Sequence, residues 1–366
     1  MSKTDFLIKL REMLLGLPQE EISDRLMFYG EMIDDRIEEG LAEEEAVAEV
    51  GSVDEIAAQI LEETSVSKTA IVDKQEEMES NYSDLNNETI DVIDDFSNIE
   101  IRSDTADVIV HLSDDDKCKV TFSNCSKQKH SVEVQDNTLY IKTTNTGKWY
   151  EHIAFFSVRS PKIDLFLPRL DYSSLIINTN VGDVDVREGI TFSDINISVV
   201  TGDVRCCACS SALLNLRSTT GDISVDGVSG EEIGLQTTTG DVSVRSIKCV
   251  GNIKVDVFTG DTDIEKASCK CATINGTTGD IDLTDVVAEE KITAKSSSGD
   301  LKLKKCDAAE LILNSGIGDI SASLLTEKRV IAKSSLGDVR VPSSMSGGIC
   351  NATTNTGDIK ISIVSL

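Results

Sequence analysis

Apolar residues recur along this chain with two different periods. Near the start, Leu7, Leu10, Leu14 and Leu15 follow one another at helical spacing, and Ile22, Leu26, Tyr29, Ile33 and Ile37 mark one face of a second segment. Thr4 is placed to cap the first helix; Gly16 and Pro18 end it, and Gly40 ends the second. A third short helix runs from Glu43 to Val50 and stops at Gly51. Ser52 and Glu55 have capping-box spacing ahead of Ile56, Ala57 and Ile60. Residues 1–64 therefore predict a small all-α bundle of four helices. Residues 65–95 are polar and weakly periodic and read as an acidic linker.

From residue 96 onward the period falls to two, the signature of strands with one buried face. The alternation is punctuated by Gly182-Asp183, Gly202-Asp203, Gly221-Asp222, Gly240-Asp241, Gly260-Asp261, Gly279-Asp280, Gly299-Asp300, Gly318-Asp319, Gly337-Asp338 and Gly357-Asp358, spaced 19 or 20 residues apart. Counting from each glycine, positions −7, −5 and +4 are apolar in every unit, and +2 in all but one, where Thr262 stands. Each unit reads as strand, tight turn, strand. Units this alike cannot each bury their own apolar face, so they must stack, and the predicted fold is mainly β: a β-solenoid of 19–20-residue coils. Residues 166–366 form the regular coils; 96–165 show the alternation with looser spacing and read as degenerate coils that start and cap the stack. The strand at the very end, Asp358 to Ile363, has no following coil, and an open edge there invites self-association or partner docking.

Charge narrows the partners. The 366 residues carry 64 acidic and 35 basic side chains, a net charge of −29. Residues 1–65 alone hold 18 acidic and 5 basic groups, so the helical segment contributes −13. Nucleic acid and anionic membrane surfaces, which need clustered Lys and Arg, are not expected partners. No apolar run approaches the roughly 20 residues that span a bilayer. Asp5 and Lys9 interrupt what would be a signal-peptide core, so a cytoplasmic location is expected, the alternative being the cell surface by a route without a signal peptide.

The candidate chemistry is sparse. The turn glycines supply positive φ and the aspartates close the turn by accepting backbone N–H groups, a structural role; a calcium ladder would need more carboxylates per coil. Ser or Thr precedes the glycine in seven of ten turns, as at Thr201, Thr220, Thr239 and Thr278, and is expected to join turn or ladder hydrogen bonds. Of the cysteines, Cys206, Cys209, Cys306 and Cys350 fall on inward positions, while Cys207, Cys249, Cys269 and Cys271 fall on outward or connecting ones. Neither Cys206-Cys207-x-Cys209 nor Cys269-x-Cys271 has a nearby histidine, so no metal, cofactor or redox centre is expected, and the unpaired thiols suit a reducing compartment. His111, His130 and His152 sit in no catalytic motif, and catalysis is not expected. The one aromatic concentration, Trp149, Tyr150, Phe155 and Phe156, either plugs the solenoid end or forms a patch for a partner or glycan.

Two stretches resemble known families. Leu17-Pro18, Tyr29-Gly30-Glu31, Asp35 to Gly40, Ala46-Val47 and Gly51-Ser52 resemble the HAAS helical domain of Gram-positive bacteria. The repeated Thr-Gly-Asp-Ile/Val-x-Val/Leu unit and Ile163 to Pro168 resemble the toastrack β-strand-repeat proteins often labelled "putative adhesin". These resemblances imply a non-enzymatic scaffold or sensor in cell-envelope stress signalling. Its acidic bundle would engage a regulator or other envelope-stress component. The alternatives are a surface adhesin or glycan-binding module and, after it, a solenoid carbohydrate-active enzyme.

Overall fold

In a computed structural model of the chain, the described residues are 1–14, 25–26, 29–30, 32–33, 36–37, 41–54, 56–57, 60, 87–125, 128–145, 160–344 and 346–364. They fall into two compact units, one helical and one β.

In the helical unit two helices are described end to end, α1 (Lys3–Met13) and α2 (Glu43–Val50). The cap of α1 is Ser2 rather than Thr4: Ser2 has extended backbone angles and its Oγ accepts from the Asp5 N–H at 3.1 Å, whereas Thr4 already lies within the helix. Leu26, Tyr29, Ile33 and Ile37, and Ile56, Ala57 and Ile60, are helical as their spacing predicts. Phe6, Leu10, Leu14, Ile33, Val47, Ala57 and Ile60 make its core. Leu15, Gly16, Pro18, Ile22, Gly40 and Glu55 lie outside the described residues.

The β unit is a solenoid, and most of the chain is strand. Its long strands form one ladder, in spatial order β5 (Gln128–Gln135), β6 (Thr138–Asn145), β2 (Asn98–Thr105), β8 (Asp171–Val181), β10 (Thr191–Thr201), β12 (Ser210–Thr220), β14 (Ser229–Thr239), β16 (Asn252–Thr259), the second halves of β17 (Thr262–Thr278) and β18 (Ile281–Ser298), β20 (Glu310–Ile317), β24 (Gly348–Thr356) and β22 (Lys328–Leu336). The short strands form the other: β1 (Asn87–Val92), β4 (Cys118–Ser123), β7 (Lys162–Leu167), β3 (Asp107–Leu112), β9 (Val184–Val186), β11 (Val204–Cys207), β13 (Ile223–Asp226), β15 (Val242–Cys249), the first halves of β17 and β18, β19 (Leu301–Cys306), β21 (Ile320–Leu324), β25 (Ile359–Ile363) and β23 (Val339–Arg340). All pairs are parallel except β1–β4, β4–β7 and β5–β6.

Register puts like positions above one another: Ile195, Leu214, Ile233, Ile253 and Ala272 form one buried column. Each inward aliphatic side chain contributes roughly 1.5–3 kcal/mol before entropy is charged against it. Two corners turn each coil. The first is the Gly-Asp pair. The second, six residues after the glycine, is held at positive φ by Ala208, Gly227, Ser246, Lys266, Asp285 and Lys305, mostly residues that give no sequence signal for it.

Three expectations change. Residues 87–92, read as linker, are strand β1, held antiparallel to β4. Residues 96–165 are not simply degenerate coils: β2–β3 is a regular coil and β6 and β7 stack beneath it, but β5, β4 and β1 run antiparallel and close that end. At the other end the terminal strands are not the edge. The chain leaves β21, lays down β22 and β23 outermost, then returns to insert β24 and β25 between them and β20 and β21. Pro342 lies just beyond β23, which ends at Arg340, and a residue without an N–H is compatible with an edge position.

Two substitutions test the packing. At Gly240, φ is +137° and a Cβ would lie 2.2 Å from the Gly221 carbonyl oxygen. Gly240→Ala is expected to lower unfolding free energy by about 3 kcal/mol or more in urea titrations of the full chain, and a loss below about 1 kcal/mol would contradict the close approach. Thr262, the one polar +2 residue, is 1% exposed and its Oγ1 has no hydrogen-bond partner. Thr262→Val keeps the shape and removes an unsatisfied hydroxyl, so it should stabilise by about 1 kcal/mol; a destabilisation would show that the hydroxyl is satisfied.

Candidate interaction surfaces

The recurring Gly-Asp turn builds a continuous rail along one corner. The Asp backbone N–H of each coil donates to Oδ1 of the Asp in the preceding coil, through Asp107, Asp183, Asp203, Asp222, Asp241, Asp261, Asp280, Asp300, Asp319, Asp358 and Asp338 in spatial order, at 2.7–3.0 Å. Asp107 is a rung that the glycine count misses, because Ala106 stands in the glycine's place; the Thr105-Ala106-Asp107-Val108 spelling carries the signal. Each turn glycine except Gly337, in the outermost coil, also gives its N–H to the next coil, as Gly221 does to the Thr239 carbonyl at 2.9 Å.

The hydroxyls that join this rail are not those just before the glycine. Thr201, Thr220, Thr239 and Thr278 are exposed. The ones that matter lie three residues before it and point inward: Ser218, Thr237, Ser296, Ser315 and Thr354 donate to the glycine carbonyl of the preceding coil at 3.0–3.2 Å. Burial makes those hydroxyls seek a partner, and the neighbouring carbonyl supplies one.

Carboxylates accumulate around the rail. Asp263 is raised above its ordinary pKa by burial first and then by Asp282, Asp261 and Asp241. The Lys302 ammonium, 2.7 Å from Asp280, holds that carboxyl below its ordinary value. With Oδ1 of every rail aspartate but the last, Asp338, already accepting an N–H, the ladder is a structural device. Among the described residues no group of three or more His, Cys, Asp or Glu side chains is placed to hold a metal ion.

All ten cysteines are free thiols. Cys249 and Cys269, read as outward or connecting, are buried, while Cys207 and Cys271 are half-buried. Cys206 and Cys209 are spaced Cys-x-x-Cys, and the corner at Ala208 brings their Sγ atoms within 3.2 Å of each other. Their mutual hydrogen bond raises the Cys206 thiol and lowers Cys209. Burial pushes Cys118 and Cys269 up to about 12, and Cys306 and Cys350 to about 11. The histidines tie strands together: His111 Nε2 is 2.7 Å from Asp164 and its ring stacks on Phe166, and His130 pairs with Glu88 and stacks on Phe122. Trp149, Tyr150, Phe155, Phe156 and His152 lie outside the described residues.

The outer face of the long-strand ladder is polar, with Asn196, Asn215, Gln236, Asn275, Asn314 and Asn351 among its outward residues. Phe258 interrupts it, 59% exposed, at a shallow hollow of about 300 Å³ that Gln236, Thr238, Asp256, Asn275 and Thr277 also line. No helix among the described residues is long and apolar enough to cross a membrane.

Comparison with known proteins places both units. The model of the family described as Toastrack DUF4097 matches residues 96–284 and again 250–366, and the HAAS model matches 5–59. Similar solved structures include a "putative adhesin" of Bacteroides fragilis (18% identity, 76% of this chain and 98% of that one, TM-score 0.31) and others of Parabacteroides distasonis (14%, 75% and 96%, 0.36) and Parabacteroides merdae (14%, 77% and 98%, 0.34). No curated protein matches the chain.

Iodoacetamide at pH 8 should label Cys207 and Cys271 in the native chain and the eight buried cysteines only after urea, as read by tryptic mass spectrometry. Rapid native labelling of Cys306 or Cys350 would contradict the packing.

Proposed function

The chain belongs to the toastrack (DUF4097) family, and from that membership we propose that it is a non-enzymatic scaffold acting in cell-envelope stress signalling through protein–protein contacts. The HAAS unit is the arm that engages a protein partner, and the β unit is the rigid surface it carries. The observation that supports this reading is the use made of the recurring carboxylates: rail aspartates spend Oδ1 on the N–H of an adjacent coil, so the repeat yields surface rather than a reactive centre. The exposed Glu43, Glu44 and Glu45 in the first turn of α2 favour a basic partner surface. We place the working protein in the cytoplasm.

A second reading, a glycan-binding or adhesin module, is favoured by one feature, the exposed Phe258 ring among amide and hydroxyl side chains.

Affinity capture with the full-length chain from its native cells tests the first reading. A specific protein should be recovered with the native chain and fall at least tenfold with the Glu44→Gln, Glu45→Gln double variant, which leaves the Glu43 contact with the Lys3 N–H in place and whose fold is checked by circular dichroism. Equal recovery would reject the acidic face as the contact. Binding on a glycan array that disappears with Phe258→Ala would favour the second reading. Protease treatment of intact cells should leave both units whole until lysis; loss of the β unit beforehand would move the protein to the surface.

A further inference from the structure

The two ends of the stack are finished differently. At the first, the outermost parallel strands β6 and β7 are covered by β5 and β4, and Leu139, Ile141, Ile163 and Leu165 are 0–1% exposed as a result. At the other, β22 and β23 have a neighbour on one side only. Their inward-facing residues are left uncovered: Val330 and Ala332 are half-buried, Val339 is 42% and Val341 37% exposed. Leu336 at 70% and Ile331 at 59% extend the apolar rim. The rail stops there too. Asp338 donates its N–H to Asp358, but its own carboxylate meets Arg340 at 3.2 Å instead of the N–H of a following coil.

The charge of this edge is opposite to that of the chain. Residues 328–341 carry Lys328, Arg329, Lys333 and Arg340 against Asp338 alone, in a chain of net −29. Lys328 is buried against Asp307, but Arg329 and Lys333 are exposed and neither forms an ion pair with a described residue. Basic side chains on an edge strand discourage pairing with a second identical edge, because the same cations would meet. They do the reverse for an acidic strand.

We propose that the free edge of β22 and β23 is a docking site for an extended acidic segment of a partner protein, which adds to the sheet as the coil missing there. Alternate apolar side chains of that segment would cover Val330, Ala332 and Val339, and the intervening carboxylates would reach Arg329 and Lys333. Backbone pairing supplies affinity and the alternation supplies selectivity. The site is independent of the HAAS arm and of the partner proposed for it.

The test is fluorescence anisotropy with the full-length chain and a labelled peptide of alternating Glu and Val. Its controls are an alternating Lys-Val peptide and a Glu-Val peptide with N-methylated backbone amides. The expected result is binding of the Glu-Val peptide alone, weakened at least tenfold by the Arg329→Glu, Lys333→Glu double variant. Slowed amide hydrogen exchange confined to β22 and β23 should accompany binding. Three results would overturn the proposal: no binding, binding that survives N-methylation (charge without strand addition), or a concentration-dependent dimer whose exchange protection falls on β22, which would make a second copy the occupant. Both substituted residues are exposed, and an unchanged melting temperature confirms that the variant is folded.

Discussion

The β unit depends on one repeated contact, the hydrogen bond from each turn aspartate's N–H to the carboxylate of the turn before it. A tight corner exposes backbone groups that a strand ladder would otherwise pair, and a corner stacked on a corner must satisfy them within the stack. The aspartate does so with a side chain short enough to reach the next coil. The glycine makes it geometrically attainable, because a Cβ at that site would strike the carbonyl oxygen of the neighbouring turn (a glycine's, or Ala106's in the first coil) at 2.0–2.3 Å along the whole rail. Inward hydroxyls three residues earlier then satisfy that carbonyl. Glycine and aspartate form one device repeated coil by coil, which the hydroxyl joins at Ser218, Thr237, Ser296, Ser315, Ser334 and Thr354.

A device of this kind has a direction, so its two ends differ. One end is closed by antiparallel strands that need no turn glycine and no aspartate, which is why residues 107–165 alternate without the regular spacing. The other keeps the device running to Asp338 and then stops. A growing parallel stack always leaves one unpaired edge, and natural solenoids must cap it, charge it or use it. Here the edge is charged, with a sign opposite to the rest of the molecule.

The cysteines and histidines show how the same scaffold absorbs residues that elsewhere would suggest chemistry. Most thiols fill aliphatic columns, where burial raises them beyond useful reactivity. Cys206 and Cys209 meet only because Ala208 takes a left-handed conformation at the second corner. The histidines bridge strands of the closed end through carboxylates and aromatic rings.

Much of this was legible in the sequence because its causes are local. Period-two alternation, a positive-φ glycine every 19 or 20 residues and the inward +2 and +4 positions all follow from the geometry of a single coil, and a single coil is written in consecutive residues. The first rung at Asp107 was legible in principle, hidden only by Ala106. What tertiary structure decided was non-local. Successive coils present nearly the same pattern, so nothing in the repeat itself says that residues 348–363 insert inside residues 328–340; that pairing is set by contacts between coils distant in sequence. The second corner was silent because non-glycine residues accept positive φ when the packing of neighbouring coils enforces it. The exposed edge, its uncovered core and the outward cations Arg329 and Lys333 come together only once that order is set.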